Sequence, residues 1–108
     1  DLTSSVFDTA VPEGAALNTV MWQGTKPAGT NVKFQIASSN SSGGPWDFVG
    51  PNNSAGDYYI PAGPDAPAEL DRDDHTNKRY FRYKVFLEAN LAGDAAPTVD
   101  DIIINWSR

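Results

Sequence analysis

Glycine and proline are spread along this chain so evenly that almost no room is left for a helix. The 108 residues include 9 Gly and 8 Pro, and proline breaks a helix interior while glycine weakens it. The best helical stretch, residues 66–70, contains Pro67 and follows Pro61 and Pro64, so it predicts one turn at most. The chain is therefore predicted to be all-β.

Short runs rich in β-branched and aromatic residues lie between these breaks, and turn-forming clusters bound them. Such runs indicate strands joined by turns. Their number and spacing are typical of an antiparallel β-sandwich with jelly-roll or Greek-key topology. The predicted strands are residues 5–8, 17–23, 32–38, 46–49, 57–60, 79–88 and 100–106.

Apolar and polar residues alternate along segments 32–38 and 79–88. A period of two predicts strands with one buried and one solvent face, with Phe34 and Tyr83 inside and Lys33 outside. Phe86 breaks the pattern, so it either contacts a neighbouring loop or lies exposed on a binding face.

The closing segment 100–106 contains three consecutive isoleucines at 102–104. A strand that is apolar on both faces is typical of the middle of a sheet. We therefore predict a central strand here. Trp22 and Trp106, which are flanked by strong strand sequence, are predicted to pack in the core.

Length and charge bound the function. The chain fits one domain spanning residues 1–108, and its net charge is −6. An acidic protein repels phosphate backbones and anionic lipid surfaces, so neither nucleic acid nor membrane is an expected partner of this segment. Without Cys there is no disulfide and no thiol nucleophile.

The first residues, Asp1 to Ser5, carry neither an initiator Met nor a signal-peptide pattern. No apolar run approaches the roughly 20 residues that cross a bilayer. We therefore expect the domain to be excised or processed from a longer surface protein.

Four sequence elements carry a resemblance to a known group. They read VKFQIASS at 32–39, WDFVGP at 46–51, RYFRYKV at 79–85 and PTVDDI at 97–102. Together they resemble bacterial extracellular jelly-roll β-sandwich modules of the galactose-binding-like and discoidin-like group. The closing DDIIINW resembles the C-terminal domains of pilin-like surface proteins of uncultivated bacteria.

This resemblance implies a secreted or cell-surface location and, for a pilin-like protein, an anchor helix before Asp1. The chain lacks the Cys pair that commonly ties the termini of discoidin-type domains. No sugar-binding or lipid-binding residue is therefore transferred by position.

Trp46, Tyr58 and Tyr59 are the candidate ligand-binding residues. Trp46 follows Gly43-Gly44-Pro45, which suits a loop mouth, and an indole face complements the C–H face of a sugar ring. Because Tyr58 and Tyr59 are adjacent, a strand sends one of them to each face.

The closely spaced Asp71, Asp73 and Asp74 are candidate ligands of a structural Ca²⁺, which binds oxygen donors. The segment lacks the glycine and glutamate of a helix-loop-helix calcium site. No other cofactor is expected.

Catalytic residues are not expected. The chain's one histidine, His75, follows an acidic run in what reads as an exposed loop, with no nucleophile elbow anywhere in the sequence. A solvated turn explains it better than acid–base chemistry.

The basic and aromatic residues of segment 78–84 describe an amphipathic strand rather than a stacking platform for single-stranded nucleic acid. Two functions remain open. The first is a non-catalytic extracellular recognition or adhesion module that binds a glycan or surface polymer. The second is a structural head domain of a pilin-like or filament subunit that contacts sister subunits.

Overall fold

The computed structural model describes residues 2–71 and 75–107, and in them two antiparallel sheets pack together. The all-β antiparallel sandwich predicted from the sequence is confirmed. A short 3-10 turn spans Pro51–Asn53. The strands are β1 Leu2–Thr3, β2 Phe7–Asp8, β3 Ala16–Thr25, β4 Asn31–Ser39, β5 Ala68–Glu69, β6 Tyr80–Glu88 and β7 Thr98–Ser107.

The first sheet is built around β6. On one edge of β6, β4 pairs along its whole length, from Asn31 opposite Glu88 to Ser39 opposite Tyr80. On the other edge lie β1 and β2, two short pieces that pair with successive parts of β6. Both long strands lie where the period-two alternation predicted them.

The second sheet has the order β5, β3, β7, so the prediction that the closing strand is central is wrong. β3 occupies the middle, and β7 is an edge strand that pairs with β3 alone among the described strands. The isoleucine run has another cause. Ile102 and Ile104 pack against the core, while Ile103 lies on the other face, opposite Met21.

The predicted strands 46–49 and 57–60 are reduced to isolated bridges. Val49 pairs with Ile36 and Tyr59 with Phe34, both on the outer edge of β4. Prolines at 45, 51 and 61 remove ladder donors on either side, so neither run extends its pairing. Residues 66–70 likewise contain β5 instead of a helical turn.

Buried side chains from both sheets form one hydrophobic cluster. Trp22, Phe34 and Ile36 are fully buried at its centre. Trp106, predicted to belong to the core, is 40% exposed, because the edge strand that carries it has no second partner among the described strands. The cluster comprises Leu17, Val20, Trp22, Val32, Phe34, Ile36, Tyr59, Leu70, Phe81 and Val85.

Truncation of Phe34 tests this register. Phe34→Ala removes a ring that is 0% exposed and should lower the free energy of unfolding by about 3–5 kcal/mol. Lys33→Ala, one residue earlier on the opposite face, should lose only a small fraction of that. Urea denaturation of both variants measures the difference, and equal losses would mean that the register is wrong by one residue.

Candidate functional site

The outer face of the β4–β6 sheet collects positive charge and aromatic rings. Alternate residues of β6 point outward, and these include Arg82, Lys84 and Phe86. The strand register places Lys33 of β4 beside Phe86 and Gln35 beside Lys84. The next outward position of β4 is Ala37, which lies opposite Arg82.

Gln35 is the anchor for this face. Its alternation predicted solvent exposure, but the residue is buried, with 5% exposed. Its Nε2 donates hydrogen bonds of 2.9 Å to the carbonyl oxygens of Ala55 and Asp57. These bonds hold the segment after the 3-10 turn against the outer face of β4 and position Tyr58, the next residue.

Trp46 and Phe48 lie over the cations of β6. The Arg82 guanidinium carbon is 5.7 Å from the centroid of the Trp46 ring and 5.9 Å from that of Phe48. Lys84 Nζ lies 4.8 Å from the Phe48 centroid. Cations at these distances are attracted by the negative ring face. Both rings remain partly exposed.

Phe48 was not among the residues selected from the sequence. Its spacing from Trp46 could have identified it, because residues two apart in an extended segment share a face. Trp46 and Phe48 therefore had to point the same way.

Tyr58 extends the row of rings. It meets Phe86 edge to face, with centroids 5.0 Å apart, and Lys33 Nζ lies 5.6 Å from its centroid. Phe86 thus makes the loop contact that was one of its two predicted explanations. Lys33 also pairs with Glu88 at 2.9 Å, and that hydrogen bond, with a second one from Asn31, lowers the pKa of the Glu88 carboxyl.

We call this surface the cation–aromatic face and define it by seven partly exposed side chains from three parts of the chain. They are Lys33, Trp46, Phe48, Tyr58, Arg82, Lys84 and Phe86.

Tyr59 does not belong to this face, which corrects its selection as a ligand-binding residue. It is 4% exposed and packs in the core. Its hydroxyl accepts a hydrogen bond of 3.1 Å from the backbone N–H of Asp71. The adjacent tyrosines do point to opposite faces, but the outward one is Tyr58.

Of the three aspartates predicted to bind calcium, Asp73 and Asp74 lie outside the described residues. The Asp71 carboxylate accepts a 2.6 Å hydrogen bond from the backbone N–H of Asn52 and so ties the 3-10 turn to the segment after β5. Among residues 2–71 and 75–107, no three acidic, His or Cys side chains form a group that could hold a metal.

His75 is buried, with 2% exposed, so the predicted exposed turn is wrong. Its Nδ1 lies 2.8 Å from the Ser38 hydroxyl, and its carbonyl accepts a hydrogen bond from the N–H of Leu17. These contacts fasten the segment before β6 to both β3 and β4.

A second surface, which we call the side groove, runs between β7 and the β1–β2 edge of the first sheet. Its three adjoining cavities hold about 410, 310 and 220 Å³. Burial, and secondarily the Asp101 carboxylate, raise the pKa of the Tyr83 phenol in its wall. The main lining residues are Leu2, Phe7, Tyr83, Val99, Ile102 and Trp106.

The chain matches no protein-family model, no curated protein and no solved structure. The sandwich agrees with the coarse part of the resemblance seen in the sequence. Its narrower part, discoidin-like or pilin-like, rests on the sequence elements alone. In residues 2–71 and 75–107 no helix is long and apolar enough to cross a membrane.

Replacement of Gln35 tests how the face is held. Gln35→Leu removes two part-buried hydrogen bonds and should lower the free energy of unfolding by about 1–3 kcal/mol. Hydrogen exchange of the amides at 55–58 should also accelerate. Gln23→Leu is the matched control, because Gln23 makes an exposed bond to Asp65, and its effect should stay within about 0.5 kcal/mol. Equal behaviour of the two variants would contradict the anchoring role.

Proposed function

We propose that this domain is a non-catalytic extracellular recognition module that binds a carbohydrate or similar surface polymer on the cation–aromatic face. The observation that carries the proposal is the row of partly exposed rings, Trp46, Phe48 and Tyr58, along one face of a rigid sheet. Aromatic rings pack against the C–H faces of sugar rings, and neighbouring polar groups bind the hydroxyls.

The arrangement suits binding better than catalysis. The cations on the face are held by rings, by the Ser4 carbonyl and by Glu88. His75, the residue that would supply acid–base chemistry, is buried against Ser38. A polymer lying on the outer face of the β4–β6 sheet would not reach it. We assign calcium, if the segment around Asp71 binds it, a structural role away from the rings.

Trp46→Ala tests the proposal. The variant should lose about 5- to 150-fold in affinity for the polysaccharide that the unmodified chain binds, because one stacking contact of an aromatic ring is worth about 1–3 kcal/mol. Isothermal calorimetry against a panel of neutral and acidic polysaccharides, with and without calcium, measures this. Trp106→Ala is the control, since Trp106 is also partly exposed but lies in the side groove.

Lack of binding to every polysaccharide, with or without calcium, would overturn the proposal. Equal losses of affinity from Trp46→Ala and Trp106→Ala would also contradict it, since binding would then not depend specifically on the cation–aromatic face.

A second function, assembly with sister copies as in a pilin-like or filament subunit, is favoured by the side groove. β7 leaves one edge without a strand partner among the described strands, and apolar side chains from both sheets are exposed beside it, including Leu2 at 67% and Phe7 at 40%. An exposed edge of this length is a template for another strand. The occupant that we propose is the β7 strand of a second copy.

Antiparallel pairing of two β7 strands around a twofold axis at Ile103 avoids charge repulsion. In that register Asp101 lies opposite Asn105 and Asp100 opposite Trp106 of the other copy, so no carboxylate faces another. The two three-stranded sheets become one continuous sheet, which is the self-complementary arrangement that a twofold axis requires.

Ile103→Lys tests assembly. It places two ammonium groups opposite each other at the axis, and like charges directly opposite destabilise a strand pair. Sedimentation over a concentration series should show a dimer that this substitution converts to a monomer. Met21→Lys, on the same face but in the central strand, should leave the dimer intact. An unmodified chain that stays monomeric at all concentrations would overturn the assembly role.

A further inference from the structure

We propose that the polymer recognised by the cation–aromatic face is an acidic polysaccharide whose sugar units carry carboxylates, such as a polyuronate. This inference rests on the proposed function and names its ligand class. Its basis is the set of cations on the face that form no ion pair with a carboxylate of the described residues.

One cation of the face, Lys33, and one just before β6, Arg79, are neutralised within the chain. Lys33 pairs with Glu88 at 2.9 Å, and Arg79 pairs with Asp8 at 2.8 Å. Arg82 and Lys84 form no ion pair with any carboxylate in residues 2–71 and 75–107. The chain has 14 acidic residues and a net charge of −6, yet no carboxylate of the described residues neutralises this pair.

Both cations keep hydrogen-bond donors for a ligand. The Arg82 guanidinium is held in place by the bond from its Nε to the carbonyl oxygen of Ser4, 3.0 Å long, and its terminal nitrogens make no hydrogen bond to a described residue. Lys84 Nζ contacts the Phe48 ring and likewise has no hydrogen-bond acceptor in the described part of the chain. Charge-assisted bonds to a carboxylate are the strong bonds that such groups form.

Each of the two uncompensated cations lies beside a partly exposed ring. Arg82 and Lys84 are two residues apart on one strand, which separates their Cα atoms by about 6.8 Å. Trp46 and Phe48 lie beside them with the same two-residue step, so each cation has a partly exposed ring next to it. In a uronate the carboxylate projects from the edge of the pyranose. We expect a uronate that packs against the exposed edge of Trp46 or Phe48 to bring its carboxylate to the cation beside that ring.

A nucleic acid is the competing polyanion, since stacking rings and cations also bind single strands. Both polymers carry one negative charge per repeating unit, so the net charge of −6 opposes both alike. The polyuronate is the ligand proposed because it belongs to the class of polymer named in the proposed function. An oligonucleotide belongs in the test as the alternative.

The experiment compares polygalacturonate with its fully methyl-esterified form, which has the same backbone without the charge. Calorimetry should show tighter binding of the free acid, and that binding should weaken with added NaCl because salt screens exposed charges.

Lys84→Gln should lower affinity for the free acid about tenfold, the cost of one charge-assisted hydrogen bond, and leave affinity for the ester unchanged. Lys26→Gln, which changes the same charge on the loop after β3, should leave both unchanged. Thermal melts verify that each variant is folded.

Equal binding of acid and ester would overturn this inference and leave the proposed function standing. Two results together would overturn both this inference and the proposed function: binding of neither the acid nor the ester, and equal binding of neutral polysaccharides by the Trp46→Ala variant and the unmodified chain. Dextran sulfate or oligothymidylate bound as tightly as polygalacturonate would overturn the carboxylate class, and equal losses from Lys84→Gln and Lys26→Gln would overturn the assigned position.

Discussion

The pairing of β4 with β6 is the constraint on which the other features of this protein depend. The two strands stay in register along their whole length. Each residue of the pair therefore points either toward the second sheet or toward the outer face. Phe34, Ile36 and Val85 therefore face the second sheet and form the core. Their neighbours Lys33, Arg82 and Lys84 face outward, so the residues that stabilise the fold and those proposed to bind alternate along the same two strands.

The candidate site arises because the chain between β4 and β5 folds back over the outer face of its own sheet. On a sheet with one solvent-exposed face, we would expect charged side chains to be dispersed over that face. Here Gln35 uses its amide to hold residues 55–57 on that face, and Trp46, Phe48 and Tyr58 come to lie among the cations of β6. The rings shield the long cationic side chains, and these fix the rings through cation–π contacts.

The two sides of the sandwich differ. On the β4 side, the bridges at Val49 and Tyr59 and the buried Leu70 cover the edge, so the core is closed. On the opposite side, β7 and the two short strands β1 and β2 leave the side groove between them. The glycan and assembly proposals use different surfaces and do not compete for residues, so one domain has room for both.

The sequence by itself determined the all-β class, the long strands β3, β4, β6 and β7, and the inward position of Phe34, because each of these follows from local breaks and a period of two. Trp46 and Tyr58, selected from the sequence, both lie on the cation–aromatic face. Only the tertiary structure decided that Gln35 and His75 are buried, that Tyr59 is core and that β7 is an edge. Those outcomes depend on which distant segments of the chain pack beside or over a strand. A period of two predicts the face on which a side chain lies, but it does not predict what covers that face.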